Sequence, residues 1–110
     1  MNNWSPSKQI DARYTETDIS VIAPRARQAF LEYSPMSWGR GDAAGRIYRH
    51  VPYGPDLDVF VLDMRSYRAG NGCNVQPTPG PDTAYLGQEQ LDWLKRQLRA
   101  SRATWKIIAS

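Results

Sequence analysis

The feature that most constrains the fold of this 110-residue chain is a succession of strand, long loop, helix and strand in its second half. Residues 57–62 read Leu-Asp-Val-Phe-Val-Leu, a β-branched and aromatic run that predicts a strand buried on both faces. Residues 87–100 carry leucines at helical spacing, and residues 105–109 predict a second strand. Two strands joined through a helix form a βαβ unit, which is expected to be parallel and right-handed.

The segment 18–33 predicts an earlier helix. Pro24 suits a first helical position. The helix is expected to end before Pro35, because the residue preceding a proline is pushed out of the helical region. The apolar residues expected on its buried face are Ala26, Ala29, Phe30 and Tyr33.

Residues 46–51 predict a strand, and the Pro-Tyr-Gly-Pro sequence at 52–55 predicts a turn. With the strand at 57–62 they form a hairpin, so the expected fold class is α/β with a hairpin and one βαβ unit. A parallel sheet needs cover on both faces. Two helices do not supply that cover easily, and we therefore expect the chain to be part of a larger α/β domain.

The residues most suited to chemistry follow the buried strand directly, in the sequence Asp63-Met-Arg65-Ser-Tyr67-Arg68. Open α/β sheets bind ligands beyond the carboxyl ends of their strands. The planar guanidinium of arginine suits phosphates and carboxylates. The alternative is structural, with Asp63 pairing with Arg65 or capping a turn while Tyr67 packs against neighbours.

The composition limits the other kinds of site. One cysteine, Cys73, excludes an internal disulfide framework and a cysteine-based zinc site, and one histidine, His50, cannot supply a metal centre built on imidazoles. The net charge of +3 is spread along the chain, unlike a nucleic-acid footprint. No apolar run is long enough to span a bilayer, and the first residues lack the pattern of a signal peptide.

Three stretches of the sequence resemble the alkaline phosphatase D (PhoD-like) metallophosphatase family. Asn2-Asn3-Trp4 is similar to the segment that follows the Trp-Asp-Asp-His-Glu metal motif of that family. Residues 57–68 resemble its central strand with an Asp-x-Arg-x-x-Arg end, and residues 86–109 resemble its next helix and strand.

The resemblance implies a calcineurin-like metallophosphoesterase fold, in which two β-sheets are sandwiched between helices. It also implies a phosphatase or phosphodiesterase that depends on a metal pair or cluster of iron and calcium, which would polarise the phosphoryl group. The metal motif of the family and its later histidine motif do not occur in residues 1–110. We therefore expect a partial domain, incomplete at both ends, that binds no metal and hydrolyses no ester by itself.

The predicted phosphate contacts are Arg65, Arg68, Asn2 and Asn3, with no complete set of catalytic residues or metal ligands. The expected partners are a phosphate ester in the intact enzyme and further copies of the partial domain, with neither nucleic acid nor membrane. The resemblance implies export of the intact protein, to the periplasm or outside the cell. Two alternatives stay open: a non-enzymatic α/β module that binds an anion through its arginines, and an α/β module that works as an oligomer.

Overall fold

A computed structural model describes residues 3–36, 45–73 and 75–110. The elements in chain order are helix α1 (Ile19–Tyr33), strands β1 (Arg49–Tyr53) and β2 (Leu57–Val61), a 3-10 turn (Pro81–Thr83), helix α2 (Gln88–Ala100) and strand β3 (Trp105–Ala109). The strands form one sheet in the order β1-β2-β3. β1 is antiparallel to β2, and β3 is parallel to it. The mixed α/β class, the hairpin and the βαβ unit are therefore confirmed. None of the described helices is long and apolar enough to cross a membrane.

The first strand begins and ends later than predicted. The expected strand at 46–51 runs instead over Arg49–Tyr53, and Pro52 lies inside it, opposite Asp58. A proline is tolerated there because β1 lies at the edge of the described sheet, where no second ladder needs its missing N–H. The reversal follows at Gly54, whose φ of 71° is open to glycine without strain.

Helix α1 begins too early for Pro24 to lie in its first turn. The carboxylate of Asp18 accepts a hydrogen bond from the backbone N–H of Ser20 at 2.8 Å and caps the helix, which places Pro24 in the helix interior. The predicted position of Pro24 is therefore wrong, because the side-chain cap determines the start. The predicted end is confirmed, with Ser34 as the C-cap residue.

The predicted buried face of α1 is also wrong. Phe30 and Tyr33 are 45% and 89% exposed, and the buried residue of the helix is Leu31. Helical spacing identifies residues that share a face but does not say what that face packs against. Here Ala26 and Phe30 line an open cleft rather than the core.

The core lies between α2 and one face of the sheet. Its buried members are Tyr48, Phe60, Trp93 and Leu94, and Leu62, Tyr67 and Leu98 pack against them. The rings of Tyr48 and Trp93 lie 4.8 Å apart between centroids. Leu94 and Leu98 come from the predicted apolar stripe of the second helix, so its amphipathic pattern correctly identified the face that meets the sheet.

The opposite face of the sheet is uncovered by any described element. Asp58 and Phe60 on β2 are buried beneath α2, whereas the alternate residues of that strand are half-buried. The prediction that β2 is buried on both faces is therefore wrong, because α2 covers one face only. The residues of this open face form three cross-strand rows, Tyr53-Leu57-Trp105, Val51-Val59-Ile107 and Arg49-Val61-Ala109.

Candidate functional site

The loop that follows β2 folds around the carboxylate of Asp63. Oδ1 of Asp63 accepts hydrogen bonds from the backbone N–H groups of Arg65 and Ser66, both at 2.9 Å. Asp63 therefore caps the turn, and among the described residues it forms no ion pair with Arg65. Of the two structural roles expected for Asp63, capping a turn is therefore correct and pairing with Arg65 is not. The guanidinium of Arg65 binds a different partner.

The same turn is attached to α2 by Gln90, a fully buried side chain. Oε1 of Gln90 accepts a hydrogen bond from the backbone N–H of Asp63 at 2.7 Å. Its Nε2 donates to the carbonyl oxygens of Asp63 at 3.0 Å and Leu86 at 2.8 Å. Sequence reasoning missed this residue, although its place one helical turn before Leu94 on the buried stripe was the available signal.

The structure brings together two of the four predicted phosphate contacts. Nη1 of Arg65 donates a hydrogen bond to Oδ1 of Asn3 at 2.8 Å, across 62 residues of sequence. Asn3 has a φ of 55°, a left-handed conformation that asparagine adopts more readily than most residues. Asn2, the third predicted contact, lies outside the described residues.

The fourth predicted contact, Arg68, has different hydrogen-bond partners. Its Nε donates to the carbonyl of Ala69 at 3.2 Å, and its Nη2 donates to Oδ1 of Asn71. Between the two arginines in sequence, the ring of Tyr67 packs edge-on against the ring of Tyr48, with centroids 5.4 Å apart. This agrees with the structural alternative, in which Tyr67 packs against its neighbours.

Both tyrosines at the base of this loop are neutral phenols at ordinary pH. Burial raises the pKa of Tyr67 above its usual value. Burial also raises the pKa of Tyr48, whose hydroxyl donates a hydrogen bond to Glu89 at 3.0 Å. Neither phenol is therefore poised to act as a base, and the positive charge of the loop comes from its arginines.

Two concave surfaces meet at the Arg65–Asn3 contact. One is an apolar cleft of about 470 Å³, bordered by Arg65 and lined chiefly by Trp4 and residues of α1. The other is a polar pocket of about 300 Å³, which we call the serine pocket. Its lining residues are Asn3, Ser5, Ser7, Lys8, Gln9, Gly70 and Asn71.

The described residues do not fit the metal centre that the family resemblance implies. Within residues 3–36, 45–73 and 75–110, no three histidine, cysteine, aspartate or glutamate side chains lie close enough to hold a metal ion. His50 pairs with Asp58 in the sheet, and Cys73 is exposed.

Three comparisons with known proteins match this chain to the same family. The family model described as PhoD-like phosphatase matches residues 1–110. Alkaline phosphatase D of Bacillus subtilis (strain 168) is 37% identical over 93 residues, a match that covers 76% of this chain and 16% of that protein. A solved structure described as "Structure of PhoD" matches with a TM-score of 0.69 and 28% identity, over 97% of this chain and 22% of that one. The chain thus spans less than a quarter of the length of either relative.

Proposed function

The chain belongs to the PhoD-like phosphatase family, as its sequence predicted, and on that premise we propose that it forms the phosphate-contacting part of a metal-dependent phosphoesterase. The family implies a phosphate ester as substrate. The observation that carries the proposal is the contact between Arg65 and Asn3 just beyond the carboxyl end of β2. Ligands of open α/β sheets bind in that position.

The proposed role of Arg65 is to hold the phosphoryl oxygens. Among the described residues its guanidinium has a neutral amide, not a carboxylate, as its side-chain partner, so its positive charge is not compensated locally. A planar guanidinium can donate two parallel hydrogen bonds to a phosphate. The same donors would stabilise the negative charge that develops when the ester bond breaks.

The remaining machinery is proposed to come from parts of the family domain that this chain does not contain. A calcineurin-like arrangement would place a second layer against the open face of the sheet and would add the residues that bind iron or calcium. The metals would supply Lewis-acid activation of the phosphoryl group. Export of the intact protein is proposed on the family resemblance alone.

The isolated chain is proposed to be inactive and to associate with itself. Inactivity is expected because the described residues hold no candidate metal cluster. Association is expected because Tyr53 and Trp105 on the open face are 74% and 69% exposed. The alternative function, a module that binds anions without hydrolysis, is favoured by the same uncompensated arginine.

The direct test is hydrolysis of p-nitrophenyl phosphate and its bis ester with added calcium and iron. The purified 110-residue chain should show no turnover above a heat-denatured sample, whereas a full-length enzyme containing this segment should hydrolyse at least one ester. Metal-dependent turnover by the chain alone would contradict the partial-domain proposal. A full-length enzyme without esterase activity would favour the alternative function, a module that binds anions.

A further inference from the structure

We propose that the serine pocket binds an oxyanion, specifically a phosphoryl group, through Ser5, Ser7 and Asn71. The choice of a phosphoryl group over other oxyanions rests on the proposed function. The pocket itself is inferred from its own side chains, which belong to two segments more than 60 residues apart in sequence. None of its seven lining residues carries a carboxylate.

The hydrogen-bond state of the two asparagines points to a ligand that accepts hydrogen bonds. Oδ1 of Asn3 is occupied by Arg65, and Oδ1 of Asn71 is occupied by Arg68. In the described part of the chain, neither amide nitrogen has an acceptor. Each arginine therefore fixes the oxygen of one amide, and leaves its NH₂ group as the donor available to the pocket.

Ser5 is the buried member of the lining. It is 2% exposed and lies beside Gly70 in the pocket. A side chain that its neighbours already hold in place loses little conformational freedom when a ligand binds to it.

The absence of a side chain at position 70 keeps the pocket open. A Cβ atom built at Gly70 would lie 3.2 Å from Oγ of Ser7 and 3.6 Å from Oγ of Ser5. A larger side chain would occupy the space between the two hydroxyls. Gly72 provides a matched position, since a Cβ atom there would approach Nε2 of Gln76 at 3.0 Å and no group of the pocket.

The charge around the pocket selects an anion over a neutral polyol. The guanidiniums of Arg65 and Arg68 lie behind the two asparagine amides, and neither forms an ion pair with a described carboxylate. Uncompensated positive charge beside a donor-lined cavity attracts anionic oxygens.

The test is equilibrium dialysis of the 110-residue chain against radiolabelled inorganic phosphate, which measures binding whether or not the chain associates. We expect saturable binding that weakens by about tenfold or more in Gly70→Val and is unchanged in Gly72→Val. Ser5→Ala, a smaller change, should weaken binding by at least about threefold. Circular dichroism of each variant establishes that it is folded.

Competing ligands identify the source of the phosphoryl group. Stronger competition by unlabelled phosphate than by dimethyl phosphate would assign the pocket to free phosphate, and the reverse order would assign it to a phosphodiester. Linear uptake of phosphate, equal binding by folded Gly70→Val and wild type, or displacement of phosphate by glycerol would overturn the proposal. Since no hydrolysis is measured, any of these results leaves the proposed esterase function untouched.

Discussion

Nε2 of His50 lies 2.8 Å from Oδ1 of Asp58 and joins β1 to β2 beneath helix α2. The imidazole is not aligned for a hydrogen bond, so the contact acts as a charge pair when His50 is protonated. Oδ2 of Asp58 accepts a hydrogen bond from the hydroxyl of Ser101 at 2.5 Å, just after the last turn of α2. One carboxylate, 7% exposed, therefore connects two strands and the end of the covering helix.

The carboxylate of Asp58 should make the stability of the fold sensitive to acid. The Ser101 hydrogen bond, followed by the contact with His50, lowers the pKa of Asp58 below its ordinary value. A lowered pKa in the folded state contributes stability that is present above the unfolded-state pKa and is lost as the pH falls through the folded-state pKa. In urea denaturation between about pH 7 and about pH 2, the free energy of unfolding should fall more steeply for wild type than for Asp58→Asn. Asp56→Asn, in the exposed turn, is the control. If the free energy of unfolding fell equally steeply with pH for Asp58→Asn and wild type, the prediction would be contradicted.

Removing the amide of Gln90 should loosen the loop that carries Arg65. Gln90→Leu leaves the backbone N–H and C=O of Asp63 without their buried partners, at a cost of about 1–3 kcal/mol in the free energy of unfolding. The matched change Gln88→Leu alters an exposed residue of the same helix and should stay within about 0.5 kcal/mol of wild type. Chemical denaturation measures both, and similar losses in the two variants would show that the buried amide does not stabilise the loop.

The start of α2 should reject any side chain at position 87. Gly87 has a φ of 75°, and a Cβ atom there would lie 2.8 Å from Cβ of Tyr67. Gly87→Ala therefore combines backbone strain, about 1–3 kcal/mol, with a steric clash. Gly54→Ala has a similar φ of 71° but no atom within 4 Å of the added Cβ, so it should carry the strain alone. The prediction fails if thermal denaturation gives Gly54→Ala the larger drop in melting temperature.

Substitution of Arg65 should impair phosphate binding more than folding. In a full-length enzyme that contains this segment, Arg65→Ala should lower kcat/KM by about tenfold to a hundredfold, because it removes charge-assisted hydrogen bonds to the phosphoryl group. Inhibition by free phosphate should weaken, and the melting temperature should stay nearly the same, as in the control Arg99→Ala on α2. A lowered melting temperature with unchanged phosphate inhibition would instead give Arg65 a structural role.

The open face of the sheet should drive association of the isolated chain. Wild type should scatter light as a species heavier than its 12.5 kDa monomer, and the double variant Trp105→Lys/Ile107→Lys should shift it towards that monomer. Both side chains are at least half exposed, so lysine at these positions removes apolar surface without opening the core. Arg96→Glu, on the outer side of α2, is the control for a general effect of charge on association. A sharp monomeric wild-type peak would contradict the prediction.

The local sequence was sufficient to predict the hairpin, the βαβ unit and the position of Arg65 beyond the buried strand. These are short-range properties, because side-chain period, turn residues and chain order determine which elements form and at which end of a strand a loop lies. The resemblance to the phosphatase family came from the same contiguous segments, 57–68 and 86–109.

The tertiary structure alone decided what each face and each polar group meets. The partners of Gln90, Asp58 and Arg65 lie 27, 43 and 62 residues away in sequence. Periodicity placed Phe30 and Tyr33 on one face of α1, yet nothing in the pattern showed that this face would remain open. The energy of burying an apolar or polar side chain depends on the neighbours that packing brings to it, and those neighbours come from distant parts of the chain.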